Sequence, residues 1–220
     1  MVLKSLKRIE ELLAEYPELH IENESDDDIK ISGRISIHRS IKQFVLKKAY
    51  EIEIFVPKHE DMLPYVIDKG KAINIEYQHI YENGQLCIAT DVDMQLAFSS
   101  DPSLVKWMKD FVEPYFVSYE YYERYGIYPL GERSHGADGI IQSYMDIFDV
   151  DERSAKQIIY FLSYKQYRGH QPCPCGSGKR MRSCHSKLLL QFFENPTLHE
   201  QVRTDCLNIV MEAMNNEFAR

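Results

Sequence analysis

Cys173, Cys175, Cys184 and His185 stand as two donor pairs eight residues apart, with Gly176-Ser177-Gly178-Lys179 between them. That donor set suits a tetrahedral ion, zinc above all, because thiolates and an imidazole are its preferred ligands and glycines let a short loop wrap it. Four protein donors leave no open coordination position, so such a zinc would be structural. Free thiols beside a basic turn are the alternative. The Gly-Ser-Gly-Lys run is not a phosphate loop, since it lacks the four residues between glycines and no strand precedes it.

Cys87 is the second candidate. It follows Asn83-Gly84-Gln85-Leu86, a turn signal that places a chain reversal at the surface just before the thiol. An ordinary thiol, with a pKa of about 8.5, is a few per cent thiolate at neutral pH, so a nucleophilic role needs a cation, a helix terminus or a histidine beside it. His79 and His135 are the candidates, either for that task or for deprotonating an attacking amine. Asn83 lies in the same turn. A buried strand cysteine is the alternative for Cys87, a loop histidine for His135 and structural anchoring for His79.

The elements that must position these residues follow from periodicity. Leu3, Leu6, Ile9, Leu12, Leu13 and Tyr16 recur three and four apart, predicting a helix that ends before Pro17. Ile29 to Ile37 and Tyr50 to Val56 alternate apolar with polar, predicting two half-buried strands joined through 39–48. The segment from Pro57 to Pro64 cannot be a central strand. Extended pieces are expected at Tyr65 to Ile67 and Ile73 to Tyr77. A helix capped by Ser100 or Asp101, with Trp107 in its core, should kink at Pro114 and stop at Gly126. Its tyrosines, Tyr115 to Tyr125, read as packing. After a glycine-punctuated loop, 131–139, helices are expected at 140–148, at 152–165 and from Pro196, the last burying Val202, Cys206, Ile209, Val210 and Met214 on one face.

Composition sets outer bounds. A chain of 220 residues can hold one well-packed domain and a small appendage. Charged residues make up 27% and the formal net charge is -8, so neither disorder nor a general polyanion binder is indicated. Arg168, Lys179, Arg180, Arg182 and Lys187 make the cysteine-rich end locally basic, which reads as solvated charge around a zinc fold or as a contact surface for protein or nucleic acid. Three of the five cysteines crowd beside one histidine, pointing to metal and thiol chemistry and not to a disulfide framework. With no apolar leader core and no run of about 18 apolar residues, a cytoplasmic protein with no membrane segment is expected.

Two resemblances sharpen these expectations. The cysteine-histidine spacing resembles the SEC-C motif found at the end of the preprotein translocase motor, which implies structural zinc and says little of catalysis. The order helix, antiparallel strands, proline-flanked loop, His79, Asn83-Gly84-Gln85-Leu86-Cys87-Ile88 and helix resembles ubiquitin-conjugating enzymes. In that family a His-Pro-Asn tripeptide lies upstream of an Asn-Gly-x-Leu-Cys segment. Here the tripeptide reads His79-Ile80-Tyr81, so Asn83, a tyrosine hydroxyl or a backbone amide would have to take the asparagine's part. The chain is most similar to divergent bacterial members encoded beside antiphage cyclic-oligonucleotide signalling genes, with Gly131–Gly139 and His135 similar to a His-Gly element of that group.

The resemblance implies an α+β chain: a conjugating-enzyme-like (UBC-like) antiparallel sheet with flanking helices over residues 1–150, and a helical region over 151–220 with a zinc motif at 172–186. It further implies an acyl carrier that forms a thioester at Cys87 with the C-terminus of a partner protein, such as a nucleotidyltransferase, and passes it to an amine on an acceptor protein in antiviral defence. A non-catalytic adaptor presenting the zinc module to protein or nucleic acid is one alternative, with nucleic acid the less favoured partner. A cysteine hydrolase that removes such conjugates is the other.

Overall fold

The computed structural model describes residues 2–59 and 62–218, with side chains over 6–59 and 62–217. The side chain of Leu3, and Glu60 and Asp61 of the proline-flanked loop, lie outside the described residues. In chain order the elements are α1 (Val2–Glu15), β1 (Leu19–Glu24), β2 (Asp28–Ile41), β3 (Phe44–Pro57), β4 (Tyr65–Asp68), α2 (Asp91–Ser100), α3 (Leu104–Trp107), a π-turn (Met108–Val112) and α4 (Glu113–Tyr125). There follow α5 (Gly136–Phe148), α6 (Glu152–Tyr164), a 3-10 turn (Met181–Ser183), α7 (Ser186–Glu194) and α8 (Pro196–Phe218). The class is α+β, and no described helix is long and apolar enough to cross a membrane.

These elements form two compact units, one of residues 1–89 and 101–132, the other of 90–100 and 133–220. The sequence reading divided the chain at residue 150. The contacts instead group 90–100 and 133–150 with the C-terminal helices, a discontinuous arrangement that no local composition shift marks.

In unit 1 the four strands form an antiparallel meander in the order β1-β2-β3-β4. Its centre is a long hairpin running from the Asp28–Pro57 pair to the Ile41–Phe44 pair, so the two expected strands are longer than their alternation suggested and the turn is only Lys42-Gln43. Ile31, Ile35, Ile52, Ile54 and Val66 lie on the buried side, as the period of two requires. The helical stretch from Leu104 to Tyr125 supplies much of the cover: Phe116 stacks on Tyr50 with ring centroids 4.1 Å apart. The Glu113 carboxylate accepts from the Tyr16 hydroxyl at 2.6 Å and pairs with Arg39 at 2.6 Å, joining α1, β2 and α4. Lys48 and the Tyr50 hydroxyl meet Glu120 on the next exposed turns, at 2.6 and 2.8 Å.

Ser103, and not Ser100 or Asp101, caps this helix. Pro114 does not break it: the π-turn immediately before absorbs the missing Pro114 donor, which has no N–H to return to the Asp110 carbonyl. Gly126 ends it in a left-handed conformation. Ile73 to Tyr77 is not extended. It is a loop tied by the Ile73 amide to the buried Asp68 carboxylate at 2.8 Å and by the Asn74 amide to the Tyr119 hydroxyl at 3.0 Å.

In unit 2, Tyr144, Phe148, Ile158, Leu162, Phe192, Leu198 and Val202 make the core. α2 joins it through Val92. Of the stripe expected on α8, Val202 and Cys206 are buried, whereas Val210 and Met214 are about half exposed. A polar staple fixes α2 to α5: Asp93 accepts from Thr90 at 2.8 Å, from Ser143 at 3.0 Å and from Arg133 at 3.2 Å.

Two expectations test these cores. At Gly33 a Cβ would stand 2.2 Å from the Glu18 carbonyl oxygen, on a φ of +145°. Gly33→Ala should therefore destabilise unit 1 by about 2 kcal/mol or more, read as a lower urea midpoint of the fluorescence of Trp107, the only tryptophan. Buried Asp205 is raised to about 6 by loss of hydration, against hydrogen bonds from Tyr144 and Gln201. A carboxyl raised on folding holds its proton in the folded state while the unfolded chain has released it, so its contribution is lost as pH rises from about 4 to 6. Relative to Asp205→Asn, the parent should lose up to about 2–3 kcal/mol of unit 2 stability across that window, measured by denaturation at each pH.

Candidate functional site

In unit 1, Cys87 lies on a loop that returns along β4. Leu86 donates to the Val66 carbonyl at 2.9 Å, and Gln85 bridges Ile67. The reversal is Tyr81 to Gln85, closed by Gly84 N–H to the Tyr81 carbonyl at 2.8 Å and Tyr81 N–H to the Gln85 carbonyl at 2.9 Å. The Asn83 carboxamide oxygen accepts from the Gln85 amide at 3.0 Å. That bond makes Asn83 a residue that orders the turn.

The Cys87 amide donates to the His79 carbonyl at 2.9 Å. The Tyr115 hydroxyl donates to the same carbonyl, also at 2.9 Å. Cys87 is thus held between a loop and a helix, half-buried and in no disulfide. The His79 ring packs edge-on to Tyr77 and Tyr128, at 5.4 and 5.6 Å between centroids. Burial, and after it the neighbouring Tyr77 and Cys87, hold the Tyr115 phenol well above its usual range, so it stays a neutral donor.

Tyr115 is the residue that sequence reasoning passed over. Its aromatic neighbours, Tyr119, Tyr121, Tyr122 and Tyr125, made it look like one more packing ring. The helical spacing of buried positions puts it on the inward face, and a buried tyrosine needs a partner for its hydroxyl. That signal says a partner exists but not that it lies 36 residues away.

His135 is the exposed N-cap residue of α5 in unit 2, whereas Cys87, His79 and Asn83 belong to unit 1.

The four metal donors come together in unit 2. The ligand atoms of Cys173, Cys175, Cys184 and His185 all lie within 4.8 Å of one another. Cys173 Sγ and Cys184 Sγ are each 3.4 Å from His185 Nδ1, and Cys175 Sγ is 3.6 Å from Cys184 Sγ. An ion about 2.3 Å from sulfur and about 2.0 Å from nitrogen spaces tetrahedral ligands roughly 3.5–3.8 Å apart. The cluster can therefore hold a metal ion with little movement.

The local fold explains why. Gly176 and Gly178 both take left-handed conformations, with φ of 77° and 73°, so the loop doubles back within five residues. Pro172 bridges Arg180, and the Cys173 amide donates to the Lys179 carbonyl at 2.8 Å. Cys173 and Met181 are buried in the unit 2 core, and the His185 ring meets Phe148 edge-on at 5.8 Å. Ser154 donates to the Cys175 carbonyl at 3.0 Å, tying the knuckle to α6. Burial pushes the Cys173 thiol up to about 12. At Cys175 burial opposes ionisation too, but the Ser177 hydroxyl and amide outweigh it and lower that thiol to about 6.

Titration with Co2+ should give thiolate charge-transfer absorption and the visible bands of a tetrahedral site, both lost in Cys184→Ala. Affinity should fall as pH drops, because protons compete for the ligands. Comparison with known proteins returns no relative: no protein family, no curated protein and no solved structure matches the chain.

Proposed function

We propose that unit 1 is a conjugating-enzyme-like acyl carrier in which Cys87 takes the C-terminus of a partner protein as a thioester and passes it to an amine. The observation that carries this reading is the loop itself. A helix and a four-stranded antiparallel meander lead directly into a reversal whose cysteine amide is bound to the His79 carbonyl, with a following helix fastened to that carbonyl by Tyr115.

The chemistry balances on named atoms. The Cys87 thiolate attacks the carbonyl carbon of an activated acyl group, such as an acyl adenylate on a partner, and the bond to the leaving group breaks. The thioester keeps the acyl carbon reactive. An amine nitrogen then attacks it, the C–S bond breaks, the amine proton passes to a base, and an isopeptide bond and free thiolate remain. In this reading Asn83, His79 and Tyr115 position the thiol. His135 is a further candidate base. The donor fits a protein with a reactive C-terminus, with a nucleotidyltransferase of a bacterial antiviral operon as the leading candidate.

We further propose that the ion in unit 2 is zinc. Three thiolates and an imidazole favour it, and four protein ligands leave no site for substrate, so its part is structural. The residues that would hold it are Cys173, Cys175, Cys184 and His185.

The experiment is transthioesterification. The full chain, loaded with zinc, is mixed with a C-terminal thioester of a ubiquitin-like protein and of a nucleotidyltransferase from a bacterial antiviral operon. A thiol-sensitive adduct is expected that disappears in Cys87→Ala and becomes a thiol-resistant ester in Cys87→Ser. Tyr115→Phe should keep the fold and slow adduct formation roughly tenfold, the share of about 1.4 kcal/mol that one lost hydrogen bond to a positioned loop would represent. No adduct with either donor, or an adduct that survives Cys87→Ala, overturns the carrier reading and leaves the adaptor. Release of a tag from a preformed conjugate, without loading, assigns the hydrolase.

A further inference from the structure

Between Arg153 and Lys187 the chain carries eight lysines and arginines and no aspartate or glutamate, inside a protein of net charge -8. A divalent ion held by three thiolates and a neutral imidazole removes only one positive charge from this tally. The segment is strongly positive within an acidic chain.

The fold gathers it onto one surface of unit 2. On α6, Arg153, Lys156, Tyr160 and Tyr164 recur three and four residues apart and are all exposed, while Ala155, Ile158, Ile159 and Leu162 face the core. The metal knuckle, which carries the exposed Lys179, Arg180 and Arg182, is tied to the first turn of the same helix by the Ser154–Cys175 bond of 3.0 Å. Among the described residues, Arg168, Lys179, Arg180, Arg182 and Lys187 enter no ion pair.

Charge alone would be a solvated surface, but two tyrosines stand in the middle of it. Tyr160 and Tyr164 are 52% and 58% exposed, with ring centroids 5.2 Å apart. The Lys165 ammonium lies 5.6 Å from the Tyr160 centroid. Tyr160 also borders an open trough of about 690 Å3 lined by Asp151, Glu152, Arg153, Lys156 and Gln157 at the start of α6. Adjacent exposed rings on a helix that also carries Arg153, Lys156 and, at its C-cap, Lys165 are a combination that can hold a flexible polyanion with aromatic faces: bases stack on the rings while phosphates meet the cations. A duplex keeps its bases stacked on each other and has no use for such rings.

We propose that this face of unit 2 binds single-stranded nucleic acid, with bases on Tyr160 and Tyr164 and phosphates on Arg153, Lys179, Arg180 and Arg182. The proposal is independent of any chemistry at Cys87. It also departs from the sequence reading, in which nucleic acid was the less favoured partner.

The test uses the full zinc-loaded chain and fluorescein-labelled oligo-dT and oligo-U, followed by anisotropy. Four or five phosphate contacts should weaken binding roughly fiftyfold to a hundredfold between about 50 and 200 mM salt. Replacing Lys179, Arg180 and Arg182 together by alanine should weaken binding and flatten that salt dependence. The pair Tyr160→Ala and Tyr164→Ala should weaken binding about tenfold or more, whereas Tyr160→Phe with Tyr164→Phe should retain it, because phenylalanine still stacks. Zinc content and melting temperature confirm that each variant is folded. Equal affinity for a duplex of the same length, or an alanine pair that binds as the parent does, overturns the proposal. So does the absence of saturable oligonucleotide binding, and capture of anionic vesicles or polyglutamate in its place would assign the face to a membrane or an acidic protein.

Discussion

A four-stranded antiparallel meander has one face that must be covered, and much else in unit 1 follows from how that is done. The β2–β3 hairpin buries isoleucines along its length, and an uncovered row of that kind would expose a large apolar patch. The stretch from Leu104 to Tyr125 and α1 provide cover, fastened by Glu113 between Tyr16 and Arg39. A carboxylate with two partners across three elements fixes the helix in position as well as in contact, because a buried charge with one partner removed is costly. Once α4 is so placed, Tyr115 reaches the His79 carbonyl. Covering the sheet and holding the cysteine loop are one arrangement.

Unit 2 meets the same need by different means. Its helices pack around Tyr144, Phe148 and Phe192, but residues 165–185 contain only a single turn of regular structure. A segment of that length cannot bury enough apolar surface to offset its own ordering. Two of its residues, Cys173 and Met181, reach the core, and the four donors converge beside them. A metal ion held by those donors would supply the cross-links that the segment's own apolar residues do not.

How much of this was legible depended on whether the deciding contact was local. The alternation of Ile29 to Ile37 and Tyr50 to Val56 announced the hairpin, and the cysteine-histidine spacing announced the donor cluster. β1 was missed because only Leu19 of its six residues is buried, leaving no period to read. α2 was missed because its buried residues, Val92, Met94 and Gln95, do not share one helical face. Ile73 to Tyr77 has the residues of a strand, yet Asp68 and Tyr119 hold it as a loop, a tertiary override of propensity. Cys87 was visible through its Asn-Gly turn, whereas Tyr115 was not, since its partner is far away in sequence. The same reasoning explains the basic segment: its charges were countable, but only helix α6 shows that Tyr160 and Tyr164 lie among them.

The chain crosses between its two units at residues 89/90, 100/101 and 132/133, and that connectivity constrains how the halves can work. α2 begins four residues after Cys87, and its Val92 is part of the same apolar cluster as Cys173 and Met181. The covalent end of the cysteine loop is therefore anchored in the core that the metal donors help to complete. The residues that follow the thiol thus enter the same apolar cluster that buries Cys173 and Met181. A single cut near residue 150 would divide unit 2 and free neither half intact. The two candidate sites differ in chemistry, yet the order of the chain runs the cysteine loop straight into the unit that gathers the metal donors.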